Sequence, residues 1–150
     1  MPRTIPPAAV PSTRLKDNAV VPTRGSKYAA GADLYSAEND LYIEDRQTVM
    51  IGTGIAMEIP EGYVGLVYAR SGLACKEGLA PANKVGVIDS DYRGEIKVAL
   101  YNQSGQKKLV KKGERIAQIV IAPFLAPEFT EVSELDETDR GEGGFGSTGK

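Results

Sequence analysis

A chain of 150 residues suits one domain that buries roughly 70% of its unfolded surface, and its apolar and charged fractions, 41% and 25%, are those of an ordinary globular protein. A formal net charge of -2 gives no reason to expect nucleic acid or an anionic membrane as partner. There is no histidine and one cysteine, Cys75, which excludes Ser-His and Cys-His catalysis and an internal disulfide and favours a reducing, intracellular setting, cytoplasmic or, in a eukaryote, nuclear.

Four prolines in the first eleven residues predict an extended N-terminal arm over 1–13, and the opening "MPRTIPPAAVP" lacks the apolar stretch of a secretory signal. The body, 14–133, is a series of short β-rich runs punctuated by Gly, Pro, Asn and Asp. In order they read "LYI", "TVMIGTGIAMEIP", "YVGLVYA", "KVGVID", "GEIKVALYN", "RIAQIVIAPF" and "FTEV". Ile96, Val98 and Leu100 alternate with Lys97, Ala99 and Tyr101, the period of a half-buried strand. "IAQIVIA" is apolar on both faces, as a central strand should be. The one expected helix is short, around "SGLACKEG", with Ser71 as N-cap. No apolar run approaches the roughly 18–20 residues of a membrane span. From 134 to 150 the chain turns acidic ("ELDETD") and then Gly-rich, which reads as a flexible tail. Many short strands with little helix predict a single all-β domain, a sandwich, jelly roll or barrel.

Several places along this body can carry chemistry. "KVGVIDSDYRGEIKVALYN" reads as a hairpin with Asp89 to Gly94 near its turn. Alternation puts Asp89 on the face of Val85 and Val87, so partial burial is expected; such a carboxylate either bonds the local backbone as an Asx turn or has a chemical task. Tyr92 either packs across strands or faces a ligand. "YARSGLACKEG" sets Arg70, Ser71 and Gly72 where a strand gives way to a helix start, a place for a capped helix or for phosphate. Gln118 breaks an apolar strand, and a buried amide must bond a neighbouring backbone or a ligand. Asp33 lies among small residues at a strand start, where a bare aspartate is usually a turn residue. "KKLVKK" reads as a solvated strand edge. With no histidine, a general base is left to a carboxylate, and a metal to hard oxygen ligands.

The last residues, "RGEGGFGSTGK", contain both G-x-G-x-x-G and most of a P-loop pattern. Both patterns need a helix behind them, and an all-β body supplies none, so both fail on context. What remains is a Gly-rich terminus with Arg140, Phe145, Ser147 and Thr148 in it.

Taken together, "AGADLYS", "ARSGLACKEG", "NKVGVIDSDYRGE", "GERIAQ" and "RGEGGFGSTG" resemble the five ordered motifs of the dUTPase family, the trimeric deoxyuridine triphosphate nucleotidohydrolases. The resemblance spans residues from about 14 to 150, with one departure: Ala69 stands where the second motif usually has proline. It implies a jelly-roll homotrimer with active sites shared between subunits, hydrolysing dUTP to dUMP and pyrophosphate with Mg²⁺ on the triphosphate. By position, Asp89 would orient and deprotonate the attacking water, and Tyr92 would pack under the deoxyribose. Asn83 and the main chain of Val87, Ile88 and Lys97 would pair with uracil. Arg70, Ser71, Gly72 and Gln118 would hold phosphate oxygens, and Asp33 would act on the metal through its waters. The tail would close as a lid, Phe145 on uracil, Arg140 on the γ-phosphate, with Gly146, Ser147 and Thr148 beside the nucleotide. The related dCTP deaminases share the jelly roll, but none of their characteristic motifs is found.

Overall fold

The computed structural model describes residues 9–146. A four-stranded sheet runs in the order β2 (Ala32–Tyr35), β11 (Arg115–Pro123), β6 (Tyr63–Tyr68), β8 (Gly86–Ile88). A three-stranded sheet runs β4 (Thr48–Gly52), β9 (Lys97–Asn102), β7 (Leu79–Pro81). Two ribbons complete the body, β1 (Ser12–Arg14) with β5 (Ile55–Met57) and β3 (Leu41–Ile43) with β10 (Lys108–Val110). All these pairings are antiparallel, and most join strands distant in sequence. The architecture is the all-β, jelly-roll-like sandwich expected from the sequence, with one short helical segment at Leu73–Glu77.

The core follows from strand periodicity. Ile96, Val98 and Leu100 turn inward, meeting Leu34, Ile51 and Ile116 from the other strands. Each such side chain contributes about 1.5–3 kcal/mol on burial. β11 is central, flanked by β2 and β6, which explains its apolar run. Asn102 is fully buried at the end of β9, and its amide is satisfied on every side: Nδ2 donates to the carbonyls of Ile43 and Gln106 at 2.8 and 2.7 Å, and Oδ1 accepts the Ser104 N–H at 2.9 Å. One side chain thereby ties β9 to β3 and to the loop before β10. No helix among the described residues is long and apolar enough to cross a membrane.

Four local expectations change. "TVMIGTGIAMEIP" is two strands, broken at Thr53 and Gly54. "FTEV" forms no strand; the chain past Pro123 holds no regular element among the described residues and is largely exposed there. Gly72, not Ser71, occupies the N-cap position of the helical segment, which has no side-chain cap. The segment is a wide π-type turn that already includes Ser71 in its approach, so the hydroxyl is not placed ahead of the first free N–H groups. Finally, β8 and β9 do not pair with each other.

Candidate active site

The parting of β8 and β9 opens a cleft. β8 pairs with β6 and β9 with β4 and β7, so two strands joined by residues 89–96 enter different sheets. Between them lies a cleft of about 320 Å³ bordered by Asn83, Val87, Ile88, Asp89, Tyr92 and Lys97. β8 is paired on one side only, and β7 ends opposite Leu100, so stretches of both strands have an edge at the cleft. Strand edges offer N–H and C=O groups to a planar ligand.

Asp89 sits just past the end of β8 and is exposed, not half-buried. Alternation does put Asp89 on the face of Val85 and Val87, but both of those residues are exposed, so that face of β8 looks outward and not into the core. The local turn is closed by main chain, Tyr92 N–H donating to the Asp89 carbonyl at 3.1 Å. Among the described residues the Asp89 carboxylate has no hydrogen bond or ion pair, so it is not serving as an Asx turn. Tyr92 is oriented by its own loop: its hydroxyl donates to the Glu95 carbonyl at 2.8 Å, and its ring covers Gly94 so closely that a Cβ there would overlap it. Sequence reasoning missed Met50, Glu95 and Ala99 in the cleft wall. Met50 lies opposite Ala99 in the β4–β9 register; its outward position was legible, but not that this face meets β8.

A second group forms where β2, β11 and β6 run side by side. Gln118 stands opposite Asp33 on one side and Tyr68 on the other. Its Nε2 donates to the Ala69 carbonyl at 2.9 Å, and its Oε1 lies where a Cβ on Gly31 would be. The backbone alternative for Gln118 is thus realised by one half of its amide. Asp33 is 14% exposed and faces two guanidinium groups, Arg70 Nε at 3.0 Å and Arg115 Nη1 at 3.5 Å. Asp33 is therefore an ion-pair centre and not a bare turn residue. The bond through Nε fixes the Arg70 plane and leaves its terminal donors for an anion. Arg115 was not singled out from sequence; it reads as an ordinary strand-edge cation. Ser71 and Gly72 follow Arg70 and are exposed.

Asp33, Arg70, Ser71, Gly72 and Gln118 are absent from the cleft wall. Within the tail, Arg140 Nε donates to the Gly143 carbonyl at 2.7 Å, Gly146 has φ of 83°, and Phe145 is fully exposed, touching neither group. Ser147 and Thr148 lie outside the described residues. Among the described residues no three His, Cys, Asp or Glu side chains gather to cage a metal. A magnesium ion held beside this group would keep its waters and bind mainly through phosphates, with the Asp33 carboxylate as the nearby acidic side chain.

The family model of dUTPase matches residues 17–149. The deoxyuridine 5'-triphosphate nucleotidohydrolase of Nautilia profundicola is 53% identical over 137 residues, covering 91% of this chain and 96% of its own. Among solved structures, the Staphylococcus bacteriophage 80alpha dUTPase with dUPNHPP has a TM-score of 0.88 at 34% identity, over 96% of this chain and 100% of that one. A mutant dUTPase from phage phi11 of S. aureus, described as revealing the coordination of a structural Mg(II) ion, has a TM-score of 0.76 at 30% identity, over 84% of this chain and 97% of that one. The matched span takes in the cleft, the arginine–aspartate group and the tail, on a fold shared across nearly the whole length: this chain belongs to the dUTPase family.

Proposed function

We propose that this chain hydrolyses dUTP to dUMP and pyrophosphate, by attack on the α-phosphorus of a water that Asp89 orients and deprotonates. The observation that carries the proposal is the cleft between β8 and β9, where an Asp89 carboxylate without a partner among the described residues stands beside Tyr92, Asn83 and two strand edges. With no histidine in the sequence, a carboxylate is the natural base. Asn83 and the main chain of Val87, Ile88 and Lys97 pair with the uracil edge. The cleft has no place for thymine's methyl group, and the pairing pattern mismatches cytosine's amino group. The Tyr92 ring packs under the deoxyribose and leaves no room for a 2′-hydroxyl.

Arg70, Ser71, Gly72 and Gln118 hold phosphate oxygens, the guanidinium countering charge that develops on them. Bound Mg²⁺ supplies further neutralisation of the triphosphate, with Asp33 reaching it through coordinated water. The similar phi11 dUTPase, described with a structural Mg(II) ion, supports magnesium as the metal. The working form is a homotrimer with shared sites. Supporting this, one chain separates the cleft from the Arg70–Gln118 group and leaves Phe145 touching neither. Residues 134–150 act as a lid over a site built from several subunits, on a body of 14–133 preceded by the arm 1–13. Phe145 stacks on uracil, Arg140 meets the γ-phosphate, and Gly146, Ser147 and Thr148 line the nucleotide. Such an activity, inside the cell, limits uracil incorporation into DNA and provides dUMP for thymidylate synthesis.

Pyrophosphate release from dUTP, dTTP, dCTP and UTP, each with and without Mg²⁺, tests the proposal. Selective, magnesium-dependent turnover of dUTP is expected. Tight dUTP binding without pyrophosphate release would show a binding protein instead, and preferred deamination of dCTP would move the chain to the neighbouring activity.

A further inference from the structure

We infer that Glu95 sets sugar selection at the cleft, by tying the Tyr92 ring to the buried junction between β4 and β5; the inference rests on the reading of Tyr92 given above. Glu95 is used at both ends. Its main-chain carbonyl accepts the Tyr92 hydroxyl at 2.8 Å, and its carboxylate accepts the Gly54 N–H at 2.9 Å. One residue thus links an exposed turn to the interior.

The interior end is firm. Thr53 is buried, and its N–H and hydroxyl both donate to the Ile96 carbonyl, at 3.1 and 2.7 Å. The Ile96 N–H donates in turn to the Ile55 carbonyl at 2.8 Å. Gly54 has φ of 68°, with Ala19 and Ala37 packed so near its α-carbon that a Cβ would crowd both. The N–H that Glu95 grips therefore belongs to a backbone with little room to move. The cleft end is different. Asp89 to Arg93 are largely exposed, and the Asp89–Tyr92 main-chain bond closes the turn without attaching it to β4 or β5. Arg93 adds only a 3.9 Å contact with Glu58, both more than half exposed, and such surface pairs are weak. A main-chain N–H donating to a part-buried, fixed oxygen is the stronger tie.

A second carboxylate closes on the same place. Glu38 accepts the Gly52 N–H at 3.3 Å and Lys16 Nζ at 3.4 Å, and a Cβ on Gly52 would overlap both Glu38 Oε1 and Glu95 Oε2. Two acidic groups share the approach to one glycine, with Lys16 offsetting one of them. What Glu95 provides here is an acceptor at a fixed reach, not its charge. An amide oxygen at that reach does the same without facing Glu38 as a like charge.

Excluding a single hydroxyl demands ring placement within about 0.5 Å, so a loosened Tyr92 should admit ribose before it costs turnover of deoxyribose. The experiment compares kcat/KM for dUTP and UTP in the wild-type protein, Tyr92→Ala, Tyr92→Phe, Glu95→Ala, Glu95→Asp and Glu95→Gln. Tyr92→Phe keeps the ring and removes its bond to the Glu95 carbonyl; Glu95→Asp keeps the charge and withdraws it by one methylene. Both, with Glu95→Ala, should narrow the dUTP:UTP gap about tenfold, the scale of one hydrogen bond, with a smaller loss on dUTP itself. Glu95→Gln should preserve the gap. If Tyr92→Ala narrows it while the alanine and aspartate variants of Glu95 discriminate as the wild type does, the inference is overturned and the role of Tyr92 stands. If Glu95→Ala fails to fold, the aspartate and glutamine pair decides alone. If Tyr92→Ala leaves the gap unchanged, the role of Tyr92 and the inference fall together.

Discussion

Replacing Asp89 with asparagine separates chemistry from binding because of where the residue sits. The side chain is exposed and, among the described residues, bonds nothing in its own chain. An isosteric amide should therefore change stability by no more than about 0.5 kcal/mol, the range of surface substitutions free of specific partners. The turn itself survives, being closed by the Tyr92 N–H to Asp89 carbonyl bond, which the substitution does not touch. The cleft is also retained, since its walls are strands in two separate sheets. What is lost is a carboxylate able to take a proton, and a positioned base is worth about 10²–10⁴-fold in rate. Pyrophosphate release at saturating dUTP should accordingly fall at least about 10²-fold. Affinity for a non-hydrolysable dUTP analogue, measured by calorimetry, should stay within a few-fold. A variant that turns over dUTP near the wild-type rate removes Asp89 from the role of base. One that loses affinity and turnover in equal measure makes it a binding residue.

Other expectations follow from packing. Gly31→Ala would drive a Cβ into the Gln118 amide, which must give up its bond to the Ala69 carbonyl to move; melting temperature should fall by only a few degrees, about the scale of one hydrogen bond, while kcat/KM on dUTP drops about tenfold, and unchanged kinetics would take Gln118 out of phosphate binding. Asn102→Ala strands the buried Ile43 carbonyl and leaves the part-buried Ser104 N–H unpaired, while the Gln106 carbonyl keeps the Ser104 hydroxyl, so urea denaturation at fixed protein concentration should show a loss of about 2 kcal/mol; a loss under about 1 kcal/mol would mean that water replaces the amide. Deleting residues 140–150 should leave a folded assembly with little turnover, and co-refolding it with full-length Asp89→Asn should restore activity if a tail serves a neighbour's site; verified mixed assemblies without activity would show that each tail serves its own.

Much of this was legible in the sequence, and the rest was hidden for identifiable reasons. β9 could be read from Ile96, Val98 and Leu100, because one buried face imposes its period on the chain. β11 could be read as central from its unbroken apolar run. The cleft could not, because two strands flanking a tight turn look like a hairpin, and only distant partners (β6 for β8, β4 and β7 for β9) pull them apart. "FTEV" has strand-forming residues but pairs with no strand among the described residues, and β propensity without a partner decides nothing. Glu95 and Arg115 escaped notice since charged residues ordinarily mark a solvated face, and their importance lies in what the fold brings to them.

The arrangement around Asp33 shows how such a fold can hold a cationic group ready for an anion. A carboxylate only 14% exposed needs compensation, and one arginine would suffice for it. With Arg70 alone, any pull on that guanidinium by phosphate would work against the buried ion pair. Two features ease the conflict here. Arg70 meets Asp33 through Nε, so its terminal donors can turn to another acceptor without breaking the 3.0 Å contact. Arg115, half exposed at 3.5 Å, keeps a second positive charge on the other carboxylate oxygen. Gln118 adds a dipole held by the Ala69 carbonyl, on the strand that lies between β2 and β6. The anchoring contacts thus run along the sheet, while the groups proposed to touch phosphate retain unused donors, which is the balance required of a site that must be rigid before the substrate arrives.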